Sequence, residues 1–482
     1  MKLTELKATD LIKGYENRDF SCEEVVREYL KNIDEKEKEI NAYVTVMAED
    51  AIESAKKVDE KYQNREELGI LAGIPVGVKD NIAVKNVKMT CSSKMLENFV
   101  VPYDSVVSER LKKEDSVIIG KTNMDEFAMG ATTKTSYFGV SKNPLDTSLV
   151  AGGSSGGSAA ALGAEECALA VGTDTGGSTR QPASFCGLVG IKPTYGSVPR
   201  YGISTMANTF DQVGSFGKDV EDAYLLLKAL SGKDKRDATS TGNISLTDNI
   251  DFSNDEKAVE YLKDLKIAIP QMYIDMNLNS RVKDDFNKAI DVFKEKGAQI
   301  EIVEMDSIKN VIETYHILTN GEIASNMARF DSLRYGHRTK EYDTYEEMFK
   351  KSRSEGFGDE VKRRIMIGTH ILSLDLAEDY YYKALKVRTL IKEEYEKIFK
   401  DFNMVLCPTV PVLPFKIDEE MSPVEMYQAD LFTIPANMTG SPAISIPMPK
   451  LDGLSVGIEL TGRRFKDQEI IKAALGFERS VK

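Results

Sequence analysis

Between Leu149 and Arg180 the tripeptide Gly-Gly-Ser occurs three times, at Gly152-Gly153-Ser154, Gly156-Gly157-Ser158 and Gly176-Gly177-Ser178. The chain as a whole is 29% charged, yet Leu149 to Ala164 carries no charge. Glycine at that density loses conformational entropy on folding, so it marks backbone that must take left-handed torsions or come close to a ligand. A flexible Gly/Ser linker has a similar composition. Here, however, Ala159 to Ala164 reads as the start of a helix and Cys167 to Val171 as an apolar strand, and linkers are not interrupted by core. The stretch is expected to be a buried site that presents its backbone.

A length of 482 residues with 41% hydrophobic content suits one large α/β enzyme or two to three domains. No apolar run reaches the roughly 18 residues of a membrane span. The opening Met-Lys-Leu-Thr-Glu-Leu-Lys lacks the apolar centre of a secretory signal, and a cytoplasmic location is expected. The cysteines Cys22, Cys91, Cys167, Cys186 and Cys407 are odd in number and widely spaced, with no C-x-x-C. Neither a disulfide framework nor a zinc site is expected from them, and they read as reduced and mostly buried. A formal charge of −14 argues against broad nucleic-acid binding by this chain alone, because phosphate neutralisation needs a basic surface.

Ser21-Cys22-Glu23-Glu24 is a capping box that predicts an amphipathic helix to about Glu35, and a second helix is expected from Glu49 to about Tyr62. Gly73 to Asn81 contains a short apolar strand ending in Lys79, the strand end where α/β sheets place functional groups. Ser105 to Glu114 reads as a helix and Ser116 to Ile119 as a buried strand. Gly120-Lys121-Thr122 imitates the end of a phosphate-binding loop, but Asp115 stands where that motif needs glycine, so the nucleotide reading is rejected. Asn123 to Phe127 and Thr135 to Gly139 read as loops. Gln181 to Pro193 suggests a short helix and a strand, and Val220 to Leu230 a helix. Lys233 to Glu256 is polar and reads as a surface excursion. Lys266 to Ile269 and Gln299 to Val303 are expected strands around a helix near Val282 to Lys296. Helices dominate from Asn310 to Lys400, with a clear 3.6-residue period in Ala377 to Phe399. Val405 to Cys407, Ala443 to Ile446 and Val456 to Leu460 return to strand.

A serine hydroxyl is a poor nucleophile until a base removes its proton, and the usual base is histidine. The three histidines, His316, His337 and His370, all fall in the helical region. Two overlapping G-x-S-x-G matches fit a hydrolase elbow, but Asn143 to Ser148 is a poor version of the strand that must precede one. Lysine serves instead where its neutral amine is favoured, and lowering its pKa from ~10.4 to ~7 costs about 4 to 5 kcal/mol of differential solvation. Lys79, flanked by Ile74, Val76 and Val78, is the lysine at the end of an apolar strand; the plainer reading is a solvent-facing cap. Gly176, Gly177 and Ser178 follow a strand and precede a short helix, which suits either an oxyanion hole or a simple tight turn.

Three long motifs, Gly77-Val78-Lys79-Asp80-Asn81, residues 152 to 158 and Asp-Thr-Gly-Gly-Ser-Thr-Arg-Gln-Pro-Ala at 174 to 183, together resemble the amidase signature family. The resemblance implies an α/β fold with a large mixed central β-sheet covered by helices on both faces. It implies one domain over residues 1–482, with peripheral N-terminal helices in residues 1–65 and the polar excursion near 233–256. It also implies a Ser-Ser-Lys triad, with Ser178 as nucleophile, Ser154 as the bridging serine behind a cis Gly153-Ser154 bond, and Lys79 as base. N–H groups from Thr175, Gly176, Gly177 and Ser178 would hold the oxyanion.

Asn123 to Gly130, Lys192 to Gly196, Ala328 to Asp331, Arg353 to Gly358, Glu360 to Ile365, and Met426-Tyr427 with Asp430 are similar to one branch of that family, the glutamine-hydrolysing subunits of tRNA-dependent amidotransferases. This implies hydrolysis of glutamine to glutamate and delivery of ammonia to a partner that converts Glu-tRNA(Gln) to Gln-tRNA(Gln). The partners would be the B and C subunits; tRNA would be met mainly through them, and ATP and Mg²⁺ would be theirs. No cofactor or metal is implied in this chain. A glutamine site needs a cation for the α-carboxylate and an anion for the α-ammonium, and the resemblance assigns Arg364 and Asp430, with Tyr315 as a hydrogen-bonding wall. Arg363 is the alternative carboxylate ligand, and an ordinary i,i+4 pair with Glu360 is the plain reading of Arg364. The chain departs from the family at Thr179, where a larger apolar residue is usual, and at Glu459, where glutamine is common. A stand-alone amidase for small amides shares the triad without needing Arg364 and Asp430; an idle scaffold would not need the triad.

Overall fold

The computed structural model describes residues 2–242, 246, 250–276 and 278–481. Among these residues the strands are β1 (Tyr43–Val46), β2 (Pro75–Lys79), β3 (Val117–Thr122), β4 (Lys142–Asn143), β5 (Asp146–Val150), β6 (Leu169–Asp174), β7 (Val189–Lys192), β8 (Gln212–Gly217), β9 (Lys266–Pro270), β10 (Gln299–Val303), β11 (Met404–Pro408), β12 (Ala443–Pro447) and β13 (Gly457–Gly462). β4 and β5 form a separate hairpin. The other eleven build one sheet in the order β1-β3-β2-β6-β8-β7-β12-β13-β11-β9-β10. It is mixed: β3, β2 and β6 run parallel, as do β11, β9 and β10, while β8, β7, β12 and β13 between them pair antiparallel.

Every residue of β2, β3, β6, β7, β8, β11 and β13 is buried. Successive strand side chains point to opposite faces, so strands buried at every position must be covered on both. The fold is therefore α/β, a large mixed sheet between helical layers. The helix Gly156–Gly163 is apolar all round and packs against β2, β6 and β8, as expected of a helix inside the core. β9, the helix Ser280–Glu295 and β10 form a parallel unit that extends the same sheet through β11.

The capping box holds. The Ser21 side chain accepts from Glu24 N–H at 3.1 Å and the Glu24 carboxylate from Ser21 N–H at 2.8 Å, opening a helix that runs Cys22–Ile40. The expected second helix is Ala48–Asn64, and Ser105 caps Val106–Lys113. Preceding them is the helix Ala8–Asn17, whose cap Lys7 offers no side-chain acceptor. Its first N–H groups, those of Ala8 and Thr9, donate instead to the distant Asp222 carboxylate at 3.0 and 3.2 Å. In the polar stretch Lys233 to Glu256, residues 243–245 and 247–249 lie outside the described residues. The helical region resolves into Val311–Met327, Tyr345–Gly356, Asp359–Ile371 and Tyr381–Asp401.

Candidate active site

β2 and β6 are parallel neighbours, with Val78 registered against Val171. Their carboxyl ends therefore open on the same side, where Lys79 ends one strand and the Gly-Gly-Ser turn at 176–178 follows the other. The Lys79 side chain is fully buried. Its Nζ donates to Ser154 Oγ at 2.8 Å, Ser155 Oγ at 2.7 Å and the Thr173 carbonyl at 3.4 Å. Burial pulls its pKa from 10.5 down to about 7, against a weaker upward pull from Asp125, Asp174 and Asp211.

A neutral amine has two protons to give and one lone pair to receive with. Ser155 sends its own proton to the Thr173 carbonyl at 3.0 Å, so toward Lys79 it can act only as acceptor, as can that carbonyl. Ser154 is left as the hydroxyl from which the lone pair can draw a proton. Ser155, which the sequence marks only as the centre of the second G-x-S-x-G match, thus orients the amine.

Ser154 follows a cis Gly153–Ser154 bond. Gly153 N–H donates to Gln181 Oε1 at 2.9 Å, and Ser155 N–H to the Ser178 carbonyl at 3.2 Å, which ties the first Gly-Gly-Ser to the third. Ser178 is half-buried while Gly176, Gly177 and Thr179 around it are buried. Among the described residues its hydroxyl makes no hydrogen bond.

The turn around Ser178 is held from behind by Asp174. The Asp174 carboxylate accepts from Gly177 N–H at 3.0 Å and Thr179 N–H at 3.1 Å, and receives Arg180 through Nε at 3.1 Å and Nη2 at 3.0 Å. Arg180 outweighs the burial penalty and holds that carboxyl down at about 2. Of the four N–H groups expected to converge as an oxyanion hole, that of Gly177 is thus committed to Asp174. Those of Thr175, Gly176 and Ser178 donate to no group among the described residues. Neither glycine of this turn has room for a side chain: a Cβ on Gly176 would meet the Tyr315 hydroxyl at 2.6 Å, and one on Gly177, at φ 139°, would meet Thr433 Oγ1 at 2.2 Å.

The two departures from the family lie behind this turn. Thr179 is buried with its hydroxyl unpaired. Glu459 accepts from Arg180 Nη1 at 2.7 Å through one oxygen and leaves the other without a partner; burial, opposed by Arg180, lifts its pKa to about 7.

The wall over the turn comes from the helical region. Tyr315 is buried edge-on to Phe210. His316, next to it, lies with its ring centroid 3.9 Å from that of Tyr427, and burial together with Arg364 holds its pKa well below the ordinary histidine value. Among the described residues it makes no hydrogen bond to Ser154 or Ser178, and its Nδ1 has no partner. Arg364 is buried and donates through Nε to Glu360 at 2.7 Å. The Arg363 side chain is 42% exposed and reaches the other Glu360 oxygen. The i,i+4 pair is thus present but buried, with Arg364 inside and Arg363 at the surface. Asp430 is half-buried, with its pKa raised to about 8 by desolvation against the pull of Arg364.

Other buried lysines show why burial alone does not select a base. Lys192, with its pKa pulled to about 7, points at the Pro193 and Ser441 carbonyls. Lys121, from the imitation phosphate loop, is bound to Asp80 at 3.2 Å. Lys79 differs in having hydroxyl partners. All five cysteines are buried and unpaired, and among the described residues no three His, Cys, Asp or Glu side chains converge as a metal-binding group.

Residues 24–471 match the family model described as Amidase. The chain is 45% identical over 489 residues to the A subunit of glutamyl-tRNA(Gln) amidotransferase from Clostridium botulinum (strain Kyoto / Type A2), covering all of this chain and 98% of that protein. It is 46% identical to the protein of the same name from Clostridium kluyveri, again over its full length and 96% of the relative. Among solved structures, the A subunit of glutamyl-tRNA(Gln) amidotransferase from Thermotoga maritima superposes with a TM-score of 0.80 at 36% identity, covering 98% of this chain and 94% of that one. A bacterial aryl acylamidase shares the fold, with a TM-score of 0.84 at 24% identity over 98% and 96% of the two chains.

Proposed function

The chain belongs to the amidase family, and on that premise we propose that it is the glutaminase subunit of a tRNA-dependent amidotransferase. Glutamine binds with its α-carboxylate on Arg364, its α-ammonium on Asp430 and its side-chain amide over Ser178, with Tyr315 as a wall. Ser178 Oγ attacks the amide carbon; its proton passes to Ser154, whose own proton passes to Lys79. The developing oxyanion takes the free N–H groups of Thr175, Gly176 and Ser178. Gly177, by holding Asp174, shapes the turn rather than donating to it. The proton returned from Lys79 leaves with ammonia, and water then opens the glutamyl ester to give glutamate and restore Ser178.

The observation that carries this reading is the Lys79 amine in contact with Ser154, buried where its neutral form is favoured. In water such an amine would be charged and useless as a base. Arg364 supports the choice of glutamine: it spends Nε on Glu360, and among the described residues its two terminal nitrogens make no hydrogen bond and can take a carboxylate. The ammonia goes to a partner that amidates glutamate on tRNA(Gln), in a cytoplasmic complex with B and C subunits. ATP and Mg²⁺ belong to the partner. The test is ammonia release by the chain together with its co-purifying subunits. The reading predicts release from glutamine, stimulated by charged tRNA; faster cleavage of acetamide than of glutamine with no partner present would favour a stand-alone amidase.

A further inference from the structure

We infer that Glu360 is the positioning residue of the glutamine pocket, a clasp that sets the cation for one end of the substrate head against the anion for the other. This rests on the glutamine reading and deepens it. One Glu360 oxygen accepts from Arg364 Nε at 2.7 Å and from the Tyr427 hydroxyl at 2.9 Å; the other takes Arg363. Arg364 sits on the helix Asp359–Ile371, whereas Tyr427 belongs to the short helix Pro423–Gln428. The carboxylate therefore joins two elements that share no strand.

From Tyr427 the connection continues without a gap. Asp430 N–H donates to the Tyr427 carbonyl at 3.3 Å. Thr433 donates from its hydroxyl to the Asp430 carbonyl at 2.9 Å and to the Gly176 carbonyl at 2.6 Å. Glu360 thus fixes Arg364 directly and Asp430 through Tyr427, and the same chain of contacts ends on the turn beside Ser178. The Tyr427 ring adds a face for the Arg364 guanidinium, 5.2 Å from its centroid.

The charge count explains Arg363. A lone carboxylate against Arg364 would cancel the charge that an incoming α-carboxylate needs. With Arg363 on its second oxygen, Glu360 is shared between two guanidiniums, and the group of three keeps one net positive charge. Arg363, the alternative carboxylate ligand in the sequence, is on this account the counter-charge that frees Arg364 to be one.

The test compares Tyr427→Phe, Arg363→Met and Glu360→Gln with the wild-type complex, reading the glutamine KM, the inhibition constant of glutamate, and the rate at which a small sulfonyl fluoride labels Ser178. Tyr427→Phe removes one hydrogen bond and is expected to raise KM and the glutamate inhibition constant together, about fivefold to tenfold, the range one buried hydrogen bond spans. The other two remove charge and are expected to raise both further. Labelling of Ser178, which needs no amino-acid head, should hold its rate. An unchanged KM in Tyr427→Phe, or labelling that slows in step with KM, would overturn the clasp. A wild-type complex inert toward glutamine would instead refute the glutamine reading itself.

Discussion

The floor of the site and its rim are built differently. The floor consists of strand ends and tight turns: Lys79, Ser154, Ser155 and the turn behind Ser178 are buried, short-range in geometry and locked by backbone partners such as the Thr173 and Ser178 carbonyls. The rim is made of long side chains on helices, where Glu360, Arg363, Arg364 and Tyr427 meet across elements far apart in sequence. Chemistry is thus fixed by backbone and specificity by side-chain reach, so damage to the floor should appear in kcat and damage to the rim in KM.

The sharpest way to break that division is Ser178→Ala. It removes the attacking atom and should lower ammonia release at least about a thousandfold, as nucleophile loss does in serine hydrolases, while partner binding is retained. Arg364→Ala should act on the other side: loss of a charged, buried donor pair is expected to raise KM about 10- to 100-fold with a much smaller fall in kcat, read from initial rates of glutamine hydrolysis. A large kcat loss there would erase the distinction.

The two regions should also titrate apart. Asp430 holds its proton up to about pH 8, and only its ionised form pairs with an ammonium. KM should therefore rise as pH falls below 8, approaching tenfold per unit. Lys79 must be neutral to act, so kcat should hold from pH 8 to about 7 and fall below that. Parallel pH profiles of kcat and KM would contradict the separation. The smallest expected effect is that of Glu459→Gln. Burial raises the folded pKa of Glu459 from 4.5 to about 7, so the folded protein loses stability as pH rises from about 4.5 to about 7, and the loss is complete above that. The amide removes that loss, raising the thermal midpoint by about 2 °C at pH 8 and by nothing below about pH 4.

What the sequence revealed follows the same line. The triad positions lie in three contiguous motifs around strand ends, each readable from glycine content, apolar flanks and the missing charge. Arg364 and Asp430 were reachable only by resemblance, since nothing local marks a buried arginine whose partners include Tyr427, 63 positions on. Ser155 is visible as the centre of one G-x-S-x-G match, but its role toward Lys79 is not, because that role depends on the Thr173 carbonyl from a neighbouring strand. The helix Ala8–Asn17 has no local cap, as Asp222 supplies it from 214 positions away. β8, Gln-Val-Gly-Ser-Phe-Gly, has no place among the strands expected from the sequence, because its two glycines answer to neighbours outside it: a Cβ on Gly214 would meet Thr179 Oγ1 at 2.5 Å. The expectation that Gly177 donates to the oxyanion fails to include Asp174, whose carboxylate takes that N–H first.

The central claim is that Lys79 is a neutral amine at working pH. Site-resolved NMR titration of its Nζ in the intact protein, with Lys79→Met to assign the signal, tests it directly. A midpoint near 7 is predicted. A midpoint near the ordinary 10.5 would leave Ser154 facing an ammonium with no lone pair to receive a proton, and would contradict the account.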